Sequence, residues 1–193
     1  MDSPPPYVFS LREIGVVEKF DSAALATLVA NRGSTYGFLA RIYRVEVDQE
    51  LLDQMVKMDL SVDVDEPEIS AGYRLLKGFL GHLTGSTLTD LAVEYARIFL
   101  GAGFSGGDGA YPYESVYTSP HRLVMQEARD QVLKIYREEG LDRAEEFNEP
   151  EDHVALELEF MAYLCQKTTE ALKAGDKVGT LGYLTKQKDF LEK

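Results

Sequence analysis

Glu149-Pro150-Glu151-Asp152-His153 stands between two long helical patterns, and its reading decides how the chain is divided. Pro150 has no N–H and restricts the residue before it, so the preceding pattern cannot run through it. Its fixed φ suits the first turn of a new helix. Asn148 or Glu149 can cap that turn, and Glu151 and Asp152 favour its positive dipole end. The spacing alone predicts a capped helix start. The same five residues also gather three carboxylates and an imidazole at a joint.

Downstream, Val154, Leu158, Met161 and Cys165 fall on one helical row, with Leu156, Phe160, Tyr163 and Leu164 beside it. So wide an apolar arc predicts a centrally buried helix, ended by Gly175. A last helix is expected over Leu181 to Lys193. Upstream, Asp21 can cap a helix carrying Leu25, Leu28 and Val29, with Asn31 and Gly33 placed to kink or interrupt it before Tyr36, Leu39, Ile42 and Tyr43. Asp48 opens a short helix with Leu51, Leu52, Met55 and Val56. Pro67 opens another, whose inner stripe is Ile69, Tyr73, Leu76, Phe79, Leu80 and Leu83. Thr87 with Asp90 resembles a capping box, before Leu88, Leu91, Tyr95, Ile98 and Phe99. Phe104 to Thr118 reads as the longest irregular segment. Ser119-Pro120 is a cap and first-position pair for a helix with Leu123, Val132, Ile135 and Tyr136. No credible strand alternation and no repeat is present. The expected fold is all-α, with an N-terminal arm at 1–20, a helical part over 21–147 containing the loop 104–118, and a hinge and C-terminal helical part over 148–193.

The 193 residues suffice for one domain or two packed subdomains with a real core. With 33 acidic and 20 basic residues the net charge is −13, which argues against nucleic acid or an anionic membrane as partner and suits a cationic one. The single Cys165 excludes an internal disulfide and points to a reducing compartment. No run of apolar residues is long enough for a membrane span, and residues 1–20 lack the basic flank and apolar core of a secretory signal. A cytoplasmic location is expected.

Catalytic chemistry finds little to stand on. The glycines at 101, 103, 106, 107 and 109 are followed by Asp108, Ala110 and Tyr111, not by the Lys and Ser/Thr of a phosphate loop. His82, His121 and His153 are far apart, and His153 with Glu157 supplies two ligands at most, so no metal or cofactor is expected. Cys165 lies on the apolar row and reads as a core thiol. Ser115 has no base near it in sequence, and Glu149 with Asp152 is a carboxylate pair at a helix start. Tyr111, Tyr113 and Tyr117 with Pro112 put amphipathic surface on an irregular segment. Such groups either anchor peptides or tuck into the body.

Four stretches together resemble the TorD/DmsD/NarJ family of molybdoenzyme maturation chaperones: Leu91 to Gly101, Tyr111-Pro112-Tyr113-Glu114-Ser115-Val116-Tyr117, Glu149 to His153 with Leu156 to Met161, and Lys188-Asp189-Phe190-Leu191. The chain departs from the family in having no Trp and in stopping soon after Phe190, which shortens the expected final helix. The resemblance implies a helical bundle in two unequal parts, no enzymatic activity, and a partner that is a molybdenum-containing oxidoreductase of the DMSO reductase type. It implies binding of that partner's twin-arginine signal peptide or apoprotein, so that export waits for cofactor insertion. Tyr95, Ile98, Phe99, Tyr111, Pro112, Tyr113 and Ser115 are then expected to line the peptide site. Glu149 and Asp152 would accept guanidinium groups beside Pro150, and His153 would orient Asp152 or respond to pH. Alternatives are a NarJ-like assembly factor acting on the mature enzyme domain and a guanine-nucleotide-binding or -hydrolysing protein. A homodimer exchanging its parts across the joint is compatible with the hinge.

Overall fold

The computed structural model describes residues 21–58, 60, 66–101, 109–144 and 147–193. Among them are eight helices: α1 (Ser22–Arg44), α2 (Gln49–Lys57), α3 (Pro67–Leu80), α4 (Thr87–Phe99), α5 (Glu114–Thr118), α6 (Glu127–Glu138), α7 (Val154–Ala174) and α8 (Lys177–Leu191). The only extended pairing among these residues is an isolated antiparallel bridge between Tyr113 and His153. The chain is all-α, as its apolar periodicity predicts. No helix among the described residues is long and apolar enough to cross a membrane. The arm at 1–20 and most of the glycine-rich stretch lie outside the described residues.

Two compact units contain these helices, residues 21–44 with 112–193 and residues 45–111. The division expected at residue 148 does not separate them. Residues on both sides of it share one core, because Tyr136 of α6 packs on Phe160 of α7 and Phe190 of α8, with ring centroids 4.9 and 6.4 Å apart. Val132, Met161 and Leu164 complete that cluster.

The central helix is α7, as its wide apolar arc predicts. It packs against both α1 and α8. Gly33 does not break α1, which runs unbroken from Ser22 to Arg44 behind the Asp21 cap, whose Oδ1 accepts from the Ala23 N–H at 3.0 Å. The glycine serves packing instead: a Cβ there would sit 2.9 Å from Cys165 Cβ on α7. Cys165 is fully buried. Beside it a buried Gln187 of α8 donates to Thr168 Oγ1 (2.7 Å) and accepts from Arg32 of α1, so polar bonds tie the three helices together. Asp176 caps α8 through the Gly179 N–H, and this helix begins earlier than expected.

In the 45–111 unit, Asp48 caps α2 through the Leu51 N–H (2.8 Å), and Leu51, Leu52 and Met55 turn inward. The stripe expected to bury α3 does not do so. No α3 residue is buried, and Ile69 and Phe79 stay exposed. So small a unit buries a smaller share of its apolar surface. Thr87 is the first residue of α4 rather than its cap; its hydroxyl accepts from the Thr84 N–H, and Ser86 donates to Asp90.

Two further expectations change. Residues 104–118 are not irregular throughout, since α5 occupies their end. Ser119-Pro120 does not open α6. Ser119 closes α5, the backbone turns left-handed at Arg122 (φ 51°) and Met125 (φ 58°), and α6 starts only at Glu127, leaving Leu123 exposed.

Candidate functional site

The joint is built as a buried knot. Pro150 does not begin α7. Residues 150–153 make a turn closed by the His153 N–H on the Pro150 carbonyl (3.0 Å), and α7 starts at Val154. The cap is His153, not Asn148 or Glu149: its Nδ1 accepts from the Ala155 N–H at 3.1 Å. A ring nitrogen that accepts must be unprotonated, so the cap needs neutral imidazole. Burial lowers the His153 pKa, outweighing the nearby charges of Glu149 and Asp152, which act to raise it. The ring is held edge-on by Tyr113 (5.1 Å) and Phe147 (5.4 Å), and the Arg44 guanidinium lies over Phe147 at 5.0 Å.

Asp152 lies at 0 % exposure. Its Oδ2 accepts from the Ser115 N–H at 2.9 Å, while Oδ1 is buried without a hydrogen-bond partner. Its carbonyl accepts from the Glu114 N–H (3.0 Å), and the Pro112 carbonyl accepts from the Val154 N–H (2.8 Å). Ser115, itself fully buried, accepts through Oγ from the Gln126 N–H at 3.1 Å. Asp152 thus fastens the segment 112–115 and the start of α5 to the joint. This geometry does not suit the guanidinium-accepting role expected of it, because no side chain reaches it from solvent. His153 does not orient Asp152 through a hydrogen bond either, since Asp152 Oδ2 is bonded by the Ser115 N–H and Oδ1 has no partner. Glu149 is the half-exposed carboxylate of the pair, and the Tyr113 hydroxyl donates to its Oε2 at 2.6 Å.

Glu151 was expected only to favour the helix dipole. It is buried and sits between Arg129 (2.5 Å) and Arg143 (3.6 Å), with the Tyr136 hydroxyl on its carbonyl at 3.4 Å. Burial acts to raise its pKa, but the Arg129 hydrogen bond, its own backbone and the two positive charges outweigh that and hold it below the usual carboxylate range. On the other side of the knot, Glu114 of α5 meets Glu157 of α7, and Lys193 bonds to both, at 3.5 Å from Glu157.

Pro112, Tyr113, Ser115, Glu149, Pro150, Asp152 and His153 are therefore brought together in one unit. Tyr95, Ile98, Phe99 and Tyr111 lie in the other. There Tyr95 and Phe99 pack at 5.2 Å, Ile98 accepts through its carbonyl from the Ala110 N–H (2.8 Å), and the Tyr111 ring lies against Gly101 and Gly109. Gly101 takes a left-handed φ of 67°, where a side chain would also meet the Tyr111 hydroxyl. The sequence reading left out Glu114, Arg129, Arg143, Phe147 and Lys193. Glu114 lay within the quoted aromatic loop, and only its place beside Ser115 signalled it.

The family model described as "Nitrate reductase delta subunit" matches residues 66–193. The chain is 26% identical over 147 residues to the chaperone protein TorD of Escherichia coli, covering 72% of this chain and 68% of that one. It is 26% identical over 149 residues, with the same coverage, to the chaperone protein TorD of Aliivibrio salmonicida. A crystal structure of a putative redox enzyme maturation protein from Archaeoglobus fulgidus aligns over the whole of both chains, with 18% identity and a TM-score of 0.45. The family match takes in α3 to α8 and the whole Asp152 knot, and by it the chain belongs to the nitrate reductase delta subunit family.

Proposed function

We propose that the chain is a maturation chaperone for a molybdenum-containing oxidoreductase, acting in the cytoplasm by binding the partner's twin-arginine signal peptide. The observation that carries the reading is the family match over residues 66–193, together with relatives that bear the TorD chaperone name. The charge of the chain agrees with it. A net charge of −13 attracts a cationic segment, and a signal peptide with an arginine pair and an apolar run is one. On this reading Glu149, half-exposed and bonded by the Tyr113 hydroxyl, receives a guanidinium in a charge-assisted hydrogen bond. Tyr95, Ile98, Phe99 and Tyr111 belong to the 45–111 unit and form an aromatic and apolar group of their own. A titration calorimetry series with an Arg-Arg peptide tests this. Replacing Arg-Arg by Lys-Lys is expected to weaken binding about tenfold, because the ammonium loses the bidentate contact. Affinity also falls with added salt. Equal affinity for the two peptides would remove the bidentate contact, and affinity that added salt does not change would remove the charge argument.

A second reading compatible with the same family match is an assembly factor that acts on the mature enzyme domain. Capture of a partner lacking its signal peptide, as efficient as capture of the full-length partner, would select it.

A further inference from the structure

Glu114 and Glu157 come from two helices that the Asp152 knot fixes in relation to each other. Glu114 precedes Ser115, whose N–H is bound by Asp152 Oδ2, and its own N–H is bound by the Asp152 carbonyl. Glu157 lies one turn into α7, after the His153 cap. The two carboxylates stand at a cavity of about 260 Å³ walled by Tyr36, Val154, Leu158, Met161 and Phe190. Into it reaches Lys193, from just beyond the end of α8. Its Nζ bonds to Glu114, lies 3.5 Å from Glu157 Oε1, and sits over the Phe190 ring at 4.8 Å. Two carboxylates, an aromatic face and an apolar wall together make a receptor for a cation on an alkyl stem. The chain's own ammonium already sits there as a cation.

We propose that the Glu114–Glu157 cavity is a binding site for an arginine side chain of the partner, and that Lys193 occupies it in the free protein as a displaceable stand-in. The arginine's origin in the signal peptide rests on the function proposed above; the site itself rests on the geometry. A single ammonium is a compact point charge, whereas the planar guanidinium offers five N–H donors in a fork that can span two carboxylates. Lys193 follows Leu191, the last residue of α8, and its C-cap Glu192. Near neutral pH Glu157 keeps its proton in the hydrogen bond with Glu114, so the pair is not doubly charged. Burial, then the hydrogen bond with Glu114, push Glu157 up to about 8 against the pull of Lys193. The other titratable groups near it are Tyr36 on α1 and the buried Tyr136 on α6. Asp152 acts here as a positioning residue, setting the spacing of two carboxylates it does not touch with its side chain.

The test uses the full chain, with argininamide and an Arg-Arg peptide as separate probes in titration calorimetry. Lys193→Met is expected to bind both about fivefold to tenfold tighter than the unaltered protein, and Lys193→Met with Glu157→Gln to lose that gain. In the unaltered protein, saturating argininamide is expected to raise the acetylation rate of Lys193 severalfold. Unchanged affinities together with an unchanged acetylation rate overturn the site. The acetylation readout decides the matter if Lys193→Met lowers the melting temperature. Tighter argininamide binding with no binding of the peptide keeps the site and removes the signal-peptide reading. Peptide binding that Lys193→Met leaves unaltered does the reverse.

Discussion

Asp152→Ala is expected to lower the free energy of unfolding by about 2–4 kcal/mol, because it strands a buried N–H and opens a void. The Ser115 N–H loses its 2.9 Å acceptor in a place that water does not reach, since both residues are fully buried. The loss spreads, because Ser115 Oγ also receives the Gln126 N–H that anchors the chain at the start of α6. Asp152→Asn should cost far less, within about 1 kcal/mol, since an amide oxygen still accepts from Ser115 and the burial cost of a carboxylate disappears. The amide N–H₂ then takes the place of Oδ1, which has no partner. Urea denaturation of the two variants checks the ordering. An Asp152→Ala protein as stable as its parent, yet unable to bind the peptide, would mean that the residue grips the partner and does not hold the fold.

Glu157→Gln carries the second large effect, and its sign depends on pH. The folded protein holds the Glu157 proton up to about pH 8, while the unfolded chain releases it near the ordinary 4.5. Between those values the folded state binds more protons, so stability falls as pH rises through that window. Gln has no proton to lose and keeps the hydrogen-bonding shape. The variant should match its parent near about pH 5 and exceed it by about 2–4 kcal/mol near about pH 8.5. His153 acts in the opposite sense. Its pKa is lowered, so its contribution is lost as pH falls below the usual histidine range. Thermal melts of parent and variant across this span decide the point. Parallel pH profiles would show that Glu157 ionises normally and shares no proton with Glu114.

The all-α fold and the inner rows of α7 were legible because apolar spacing reports which face is covered, and Cys165 and Phe160 sit where their rows put them, whereas the row expected on α3 stays exposed. The joint was legible as a place, but not as a mechanism. Proline, carboxylates and histidine at a helix start look like surface capping, and nothing local shows that Asp152 will be buried by a serine 37 positions earlier. Gly33 looked like a break because a glycine in a helix costs stability. Its reason lies on another helix, where Cys165 leaves no room for a Cβ. Ser119-Pro120 carried a sound cap signal that the left-handed turns at Arg122 and Met125 displaced. The Glu114–Lys193 contact joins residues 79 apart, and no spacing rule reaches that far.

The most direct measurement co-expresses the chain with a molybdenum-containing oxidoreductase that co-purifies with it and determines the molybdenum cofactor content of the purified enzyme. A maturation chaperone predicts a severalfold fall in cofactor content when the chain is omitted, restored by the intact protein and by Asp152→Asn but not by a fold-disrupted Asp152→Ala. An oxidoreductase that fills equally well without the chain would contradict the account.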